Sequence, residues 1–363
     1  APPAQPRMPQ SAPVKQEPEK SAAGSSPAQK PQVIPRTSVE SDDASWEDLA
    51  AFLSLEVLAV SPPGRRQKHE EESRQLAAIC YTWRPHGCLL GGKRMRPRDR
   101  HGALVVADTL QEEEWRESLE KQSQPLELRC VKGELELLKA LVELIRSADP
   151  DVCLGWELRS RSWGCVLARA RALGAEDLRR QLSRVPHDAS PLPLPQPTSA
   201  SSIGPGQDPR TYESEMIAPS DLQLPGRLLL NVWRLLMHIT FGAKLRSFAP
   251  QEAAKELLGR SFPCLPLGEV DRHWLKGTAQ ARLALLQHTA SLASLSLEVS
   301  DALEIFPRAG ELSRLFGMDV LSGFTRGTQL RVESLLMRVA RAAGFLLLSA
   351  SQEQVRAQPA LEC

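Results

Sequence analysis

Asp149-Pro150-Asp151-Val152-Cys153-Leu154-Gly155-Trp156-Glu157 is the stretch whose reading decides the architecture. A residue before proline is pushed out of the right-handed helical region, so a helix arriving from the N-terminal side ends at Asp149-Pro150. Asp151 to Trp156 then reads as a short buried strand. Upstream, Leu135, Leu138, Leu141, Val142 and Ile145 recur at helical spacing. Downstream, Trp163, Val166, Leu167, Ala170 and Leu173 mark a second helical face, which Gly174 closes. The local order is helix, buried strand, helix.

Working outward, Phe52 to Val60, Leu76 to Trp83, Gly102 to Thr109 and Leu126 to Val131 are rich in β-branched and aromatic residues and read as strands. Gly226 to Asn231 restores a strand that runs into a helix around Trp233 to Met237. The remainder is helical over about 250–259, 270–298, 308–317 and 328–343. Strands first, then helix–strand–helix, predict an α/β domain with a mixed sheet.

Composition bounds the rest. The chain has 363 residues and nearly balanced charge, with 45 Lys and Arg against 44 Asp and Glu. That balance excludes a highly basic nucleic-acid coat or an acidic tail protein, while leaving a local DNA groove open. No apolar run approaches the ~20 residues of a bilayer span, so no membrane partner is expected. Residues 1–45 lack aromatic residues and are rich in Pro, Ser, Gln, Lys and Glu. They cannot bury enough surface to offset chain entropy, and disorder is expected there, with order starting near Trp46. Residues 186–209 hold seven Pro and read as a linker or surface insertion. The seven Cys show no zinc spacing, and they fit reduced thiols of a cytosolic or nuclear protein. The chain begins at Ala1 rather than Met, which is expected of a fragment.

Three stretches resemble family B DNA polymerases. Asp149 to Glu157, continuing through Ser162-Trp163-Gly164 to Ala170, is similar to the second exonuclease motif region of that family. Gly226-Arg227 with Leu230-Asn231-Val232-Trp233-Arg234 is similar to the strand and helix that follow. Arg314-Leu315-Phe316-Gly317 with Thr325-Arg326-Gly327-Thr328-Gln329-Leu330-Arg331-Val332-Glu333-Ser334 resembles the helix preceding the polymerase palm. Gly-Trp-Glu, Ser-Trp-Gly and Ser183-Arg184-Val185-Pro186 point to the branch that synthesises DNA past lesions without proofreading. The resemblance implies an RNase H-like exonuclease fold with a mixed sheet flanked by helices, over residues 46–305. It implies the start of a polymerase domain over 306–363, truncated before the palm motifs.

An exonuclease of this fold holds two cations ~4 Å apart with four carboxylates from three motifs. The first motif is Asp-x-Glu on a strand, where alternation puts both acids on one face. The aligned triplet here is Ser54-Leu55-Glu56, so only Glu56 remains. The second motif needs Asp where this chain has Ser162, and the nearest alignment of the third gives Thr289 and Ala293. One carboxylate of four cannot hold two Mg²⁺, so an inactive exonuclease fold with no bound metal is expected. A rearranged site using Asp151 or Glu157 is the enzymatic alternative, and a stand-alone interaction module is the other.

The polymerase aspartates are also missing from the sequence, whose only tyrosines are Tyr81 and Tyr212. By resemblance, the longer protein is a nuclear nucleotidyltransferase using Mg²⁺ and dNTPs. Its partners are a DNA primer-template and accessory polymerase subunits. Arg326, Gln329, Arg331 and Arg338 border the template groove in that reading, where Arg contacts phosphate without sequence preference. A structural helix with Arg–acid bridges fits the same residues equally. Lys93 to Arg100 carries five basic residues and reads as a solvated hairpin loop, a phosphate contact or a nuclear import signal. Asn231, at a strand-to-helix junction, is expected to cap the helix.

Overall fold

The computed structural model describes residues 50–61, 74–90, 93–95, 98–107, 113, 115, 126–185, 217–219, 222–239, 245–263 and 265–347. The expectations for 1–45, Trp46 and 186–209 lie outside these residues.

The chain opens with strands β1 (Phe52–Val60), β2 (Gln75–Arg84), β3 (Cys88–Leu90), β4 (Lys93–Met95), β5 (Arg100–Val106) and β6 (Leu126–Val131). Helix α1 (Glu134–Ala148), strand β7 (Val152–Gly155), helix α2 (Trp163–Ala172) and the short α3 (Leu178–Leu182) follow. Strand β8 (Leu228–Asn231) runs directly into α4 (Val232–Ile239). Helices α5 (Pro250–Leu258), α6 (Leu267–Lys276), α7 (Ala279–Ala302), α8 (Ile305–Phe316), α9 (Val320–Thr325) and α10 (Thr328–Ala342) complete the described chain.

Six strands form one sheet in the order β6-β5-β2-β1-β7-β8. The pairs β1–β2 and β2–β5 are antiparallel, and β5–β6, β1–β7 and β7–β8 are parallel. The sheet is therefore mixed, as the sequence predicts. The start of the basic run, Lys93–Met95, pairs antiparallel with Cys88–Leu90 as a separate two-stranded sheet, and Arg100 at its end belongs to β5.

Helices cover both faces. Leu53 and Leu55 pack with Leu137, Leu141 and Ile145 of α1 and Trp163 and Val166 of α2. The alternate residues Phe52 and Leu58 face the other layer, where α7 supplies Leu295 and Leu297 to one cluster and Leu283 and Leu286 to another. Trp163 is fully buried and its indole N–H donates to Leu154 O at 3.0 Å. The tryptophan thus serves the core, and its polar edge is satisfied.

The left-handed Asp149 (φ 39°) ends α1 with its N–H on Ile145 O. Arg184 and Arg227 both reach the Asp149 carboxylate, at 2.8 and 2.9 Å, and hold it below the usual carboxylate range. The chain leaves and returns beside this clamp: Arg184 N donates to Pro225 O, Arg179 Nε to Gln223 O, and Arg227 Nε to Leu182 O.

The single helix expected over 270–298 is two. At Gly277 the backbone N–H closes on His273 O, and a side chain there would strike that same carbonyl. Thr278 then starts α7, its side chain accepting from Ala281 N at 3.3 Å. Periodicity continued across the break because both helices bury apolar residues against the same layer. Thr278→Ala removes this cap and is expected to lower stability by about 1 kcal/mol, read from chemical denaturation.

Arg84 at the end of β2 ties the layers together. It forms two hydrogen bonds of 2.9 Å to Asp99 and one of 2.8 Å to Asp301 near the end of α7. A second tie joins Arg74 to Asp271 of α6 at 2.8 Å. No helix of the described residues is long and apolar enough to cross a membrane.

Candidate functional site

The alternation of β1 puts Ser54 and Glu56 on the face covered by α7. Both are buried, Glu56 with only 1% exposure. Its neighbour across the sheet is Cys80 of β2, and Ser54 is opposite Thr82. Cys80 donates its thiol to Leu286 O of α7 at 3.5 Å, and Thr82 Oγ1 lies 3.1 Å from His101 Nδ1. Glu56 therefore sits in a tightly covered seam between sheet and helix.

Its carboxyl has one backbone partner. Trp156 N donates to Glu56 Oε1 at 2.6 Å, where the chain leaves β7. Trp156 O in turn accepts from Trp233 N in the first turn of α4, so one carboxyl ties β1 to the ends of β7 and β8. Burial pushes the Glu56 pKa up to about 8, outweighing the Trp156 amide and the Arg161 charge, which act the other way. At neutral pH the group is chiefly a neutral acid.

Ser162 comes to the same place from the other side. It is fully buried at the start of α2, and its hydroxyl donates to Leu55 O at 2.5 Å, between Ser54 and Glu56. Gly155 makes room for it: a Cβ there would fall on the Ser162 hydroxyl. Thr289 and Ala293 are buried on α7, and the Thr289 hydroxyl is spent within the helix on Leu285 O at 2.8 Å. The structure thus brings Ser54, Glu56 and Ser162 together along β1.

Two divalent cations do not fit these residues. Glu56 is buried, hydrogen-bonded and largely uncharged, the Ser162 hydroxyl is committed to a carbonyl, and Ser54 Oγ is buried with no hydrogen-bond partner. Among the described residues no group of three or more His, Cys, Asp or Glu side chains is placed to hold a metal ion. The substitutes considered from sequence are engaged elsewhere. Asp151 precedes β7, at the opposite end of that strand from Trp156, and binds Ala51 N and Arg184. Glu157 accepts from Arg159 N, Ser160 N and the Ser160 hydroxyl within its own loop.

Asn231 does not make the expected cap. Its Oδ1 is buried without a hydrogen-bond partner at the end of β8. The basic set on the last helix is divided. Arg331 donates to Gly323 O of α9 at 3.2 Å. Arg338 donates to Arg314 O and Leu315 O at 2.9 and 2.5 Å, closing the C-terminal end of α8 over Gly317. Gln329 pairs with Glu333 at 2.9 Å, and Arg326 is exposed. What the sequence reading missed is the Trp156 amide as the partner of Glu56. A backbone donor leaves no residue-type signal.

Residues 29–190 match the model of the DNA polymerase family B exonuclease domain. The chain is similar to DNA polymerase zeta catalytic subunits. It is 31% identical to that of Arabidopsis thaliana over 244 residues, 63% of this chain and 12% of that protein. It is 28% identical to the Homo sapiens subunit over 238 residues, 66% of this chain and 7% of that protein. Against the Saccharomyces cerevisiae subunit it is 29% identical over 233 residues, 64% of this chain and 14% of that protein. The chain thus spans 7–14% of the length of these relatives.

Proposed function

From this similarity to the zeta catalytic subunits, we propose that the chain is the exonuclease-like part of a translesion DNA-directed DNA polymerase, with its editing chemistry lost and its fold kept as a scaffold beside the template. The longer protein extends primers past lesions in the nucleus, using dNTPs and Mg²⁺ with accessory subunits. Lack of an editing site suits that task, because an editor would remove the mismatched ends that must be extended. The observation that carries the reading is the site on β1, where one buried and largely neutral acid stands where a two-metal site needs four carboxylates.

Exposed Arg326 and the α8–α10 region are the part of this chain assigned to the template. Helix α10 also exposes Val332, Leu335, Leu336 and Val339 on one stripe, which supports its reading as a lead-in that packs against a polymerase domain. The test of the lost editing chemistry is direct. A 5′-labelled primer with a mismatched 3′ end, incubated with the chain and Mg²⁺ or Mn²⁺, is expected to stay at full length. Metal-dependent shortening that disappears in Glu56→Ala would overturn the proposal.

A further inference from the structure

Helix α10 packs with its polar side inward. The residues it turns toward α8 and α9 are Arg331 and Arg338, with half-buried Leu330 and Ser334 on the same side by the 3.6-residue period. None of its residues is fully buried. Val332, Leu335, Leu336 and Val339 lie on the far side and are 42–61% exposed. An amphipathic helix ordinarily gains its stability by burying such a stripe against its own domain. Here the stripe faces away from it.

Backbone carbonyls supply the seat instead. The last carbonyls of a helix have no partner within it. At the end of α8, Ser313 O accepts from Gly317 N and Met318 N, while Arg314 O and Leu315 O accept from Arg338. The guanidinium also meets the negative end of the α8 dipole. Left-handed Gly317 (φ 72°) clears its path, since a Cβ there would lie 2.8 Å from Arg338 Cδ. Arg331 donates to Gly323 O of α9, but its Nε is buried without a hydrogen-bond partner. A buried donor left unpaired weakens the seat. Arg326 and Gly327, which join α9 to α10, are both extended, and a Cβ on Gly327 would meet nothing within 4 Å. The joint therefore has room to turn.

Resting on the reading of α10 as a lead-in to a further domain, we infer that α10 is a separately opening unit, held apolar side outward by Arg331 and Arg338, and that these two arginines are positioning residues rather than phosphate contacts. Arginine suits the seat because one planar fork can donate to two carbonyls at once. A helix held by hydrogen bonds at the surface, as the Arg338 bonds are, opens more readily than one held by a core.

The test is hydrogen–deuterium exchange of the full chain, read by mass spectrometry beside the chemical-denaturation midpoint. In the parent, α10 amides are expected to exchange roughly tenfold or more faster than those of α7, yet more slowly than an unstructured peptide. Arg338→Met keeps helix propensity nearly constant. It should speed exchange in α10 and at the end of α8 by about tenfold, with α7 and the midpoint as in the parent. Arg338→Lys, which retains a donor, should fall between. Leu335→Gln/Leu336→Gln, also matched in propensity, should change neither readout, because the stripe faces away from the chain's own core. Unchanged α10 exchange in Arg338→Met would overturn the inference; if that variant also bound a labelled primer-template more weakly, Arg338 would be a phosphate contact instead. Unprotected α10 amides in the parent would mean that the seat does not form, and would overturn it too. So would a lowered midpoint or faster α10 exchange in the leucine variant, which would place the stripe in contact with the chain itself or with a second copy. Neither readout needs a polymerase domain or an editing site, so the inference fails separately from the proposed function.

Discussion

Glu56→Gln is expected to stabilise the protein at pH 8 by several kcal/mol while leaving it little changed near pH 4.5. The folded carboxyl holds its proton up to about pH 8, whereas the unfolded chain releases it near 4.5. Between those values the folded state binds more protons than the unfolded state, so stability falls as pH rises. The loss is about 1.4 kcal/mol for each pH unit in that window, and its full span is on the order of 4–5 kcal/mol. Above the folded pKa the loss is complete and the difference levels off. Glutamine keeps a carbonyl oxygen for Trp156 N and has no proton to lose. Denaturant midpoints of the two proteins from pH 4.5 to 8.5 should diverge with rising pH. Parallel curves would mean that the acid is solvated and ionised.

The second large effect concerns Ser162. Placing aspartate there restores the residue type that the second exonuclease motif requires, yet Ser162→Asp is expected to cost about 3 kcal/mol or more. The site is fully buried, it faces Gly155 with no room to spare, and the serine hydroxyl donates to Leu55 O. A carboxylate there cannot make that donation while ionised, and it adds volume to a packed seam. Thermal unfolding should show the loss equally in Mg²⁺, in Mn²⁺ and in EDTA. A variant restabilised by either cation would show that the seam can open into a metal site.

The sheet was legible because its cause is local. The apolar runs at Phe52–Val60, Val152–Gly155 and Leu228–Asn231 and the proline after Asp149 are sufficient to order these elements. The division of α6 from α7 was not, because apolar spacing continues across Gly277, while the break itself is two extended residues, Gly277 and Thr278, with Thr278 capping the next helix. The sequence expects a hairpin loop over residues 93–100 but not the paired strands β3 and β4, since three-residue strands carry little pattern. At the site, sequence gave the residue types at positions 54, 56 and 162. It could not give the protonation of Glu56, which follows from burial beneath α7. The basic helix was ambiguous for a similar reason: Arg331 and Arg338 bind carbonyl ends of neighbouring helices, a role that an arginine serves as readily as a phosphate contact.

The clamp around Asp149 has a consequence for how the gene can vary. Arg179, Arg184 and Arg227 stitch the chain on either side of residues 186–216 to one rigid base. For a flexible loop closed between fixed ends, the thermodynamic penalty for lengthening grows only logarithmically, by about 0.6 kcal/mol for each doubling. If the Pro-rich stretch is the linker its sequence suggests, insertions and deletions there are expected to be nearly neutral, because the anchors at Arg184 and Arg227 lie outside it. Natural drift in size should concentrate there, while the three arginines and Asp149 stay fixed.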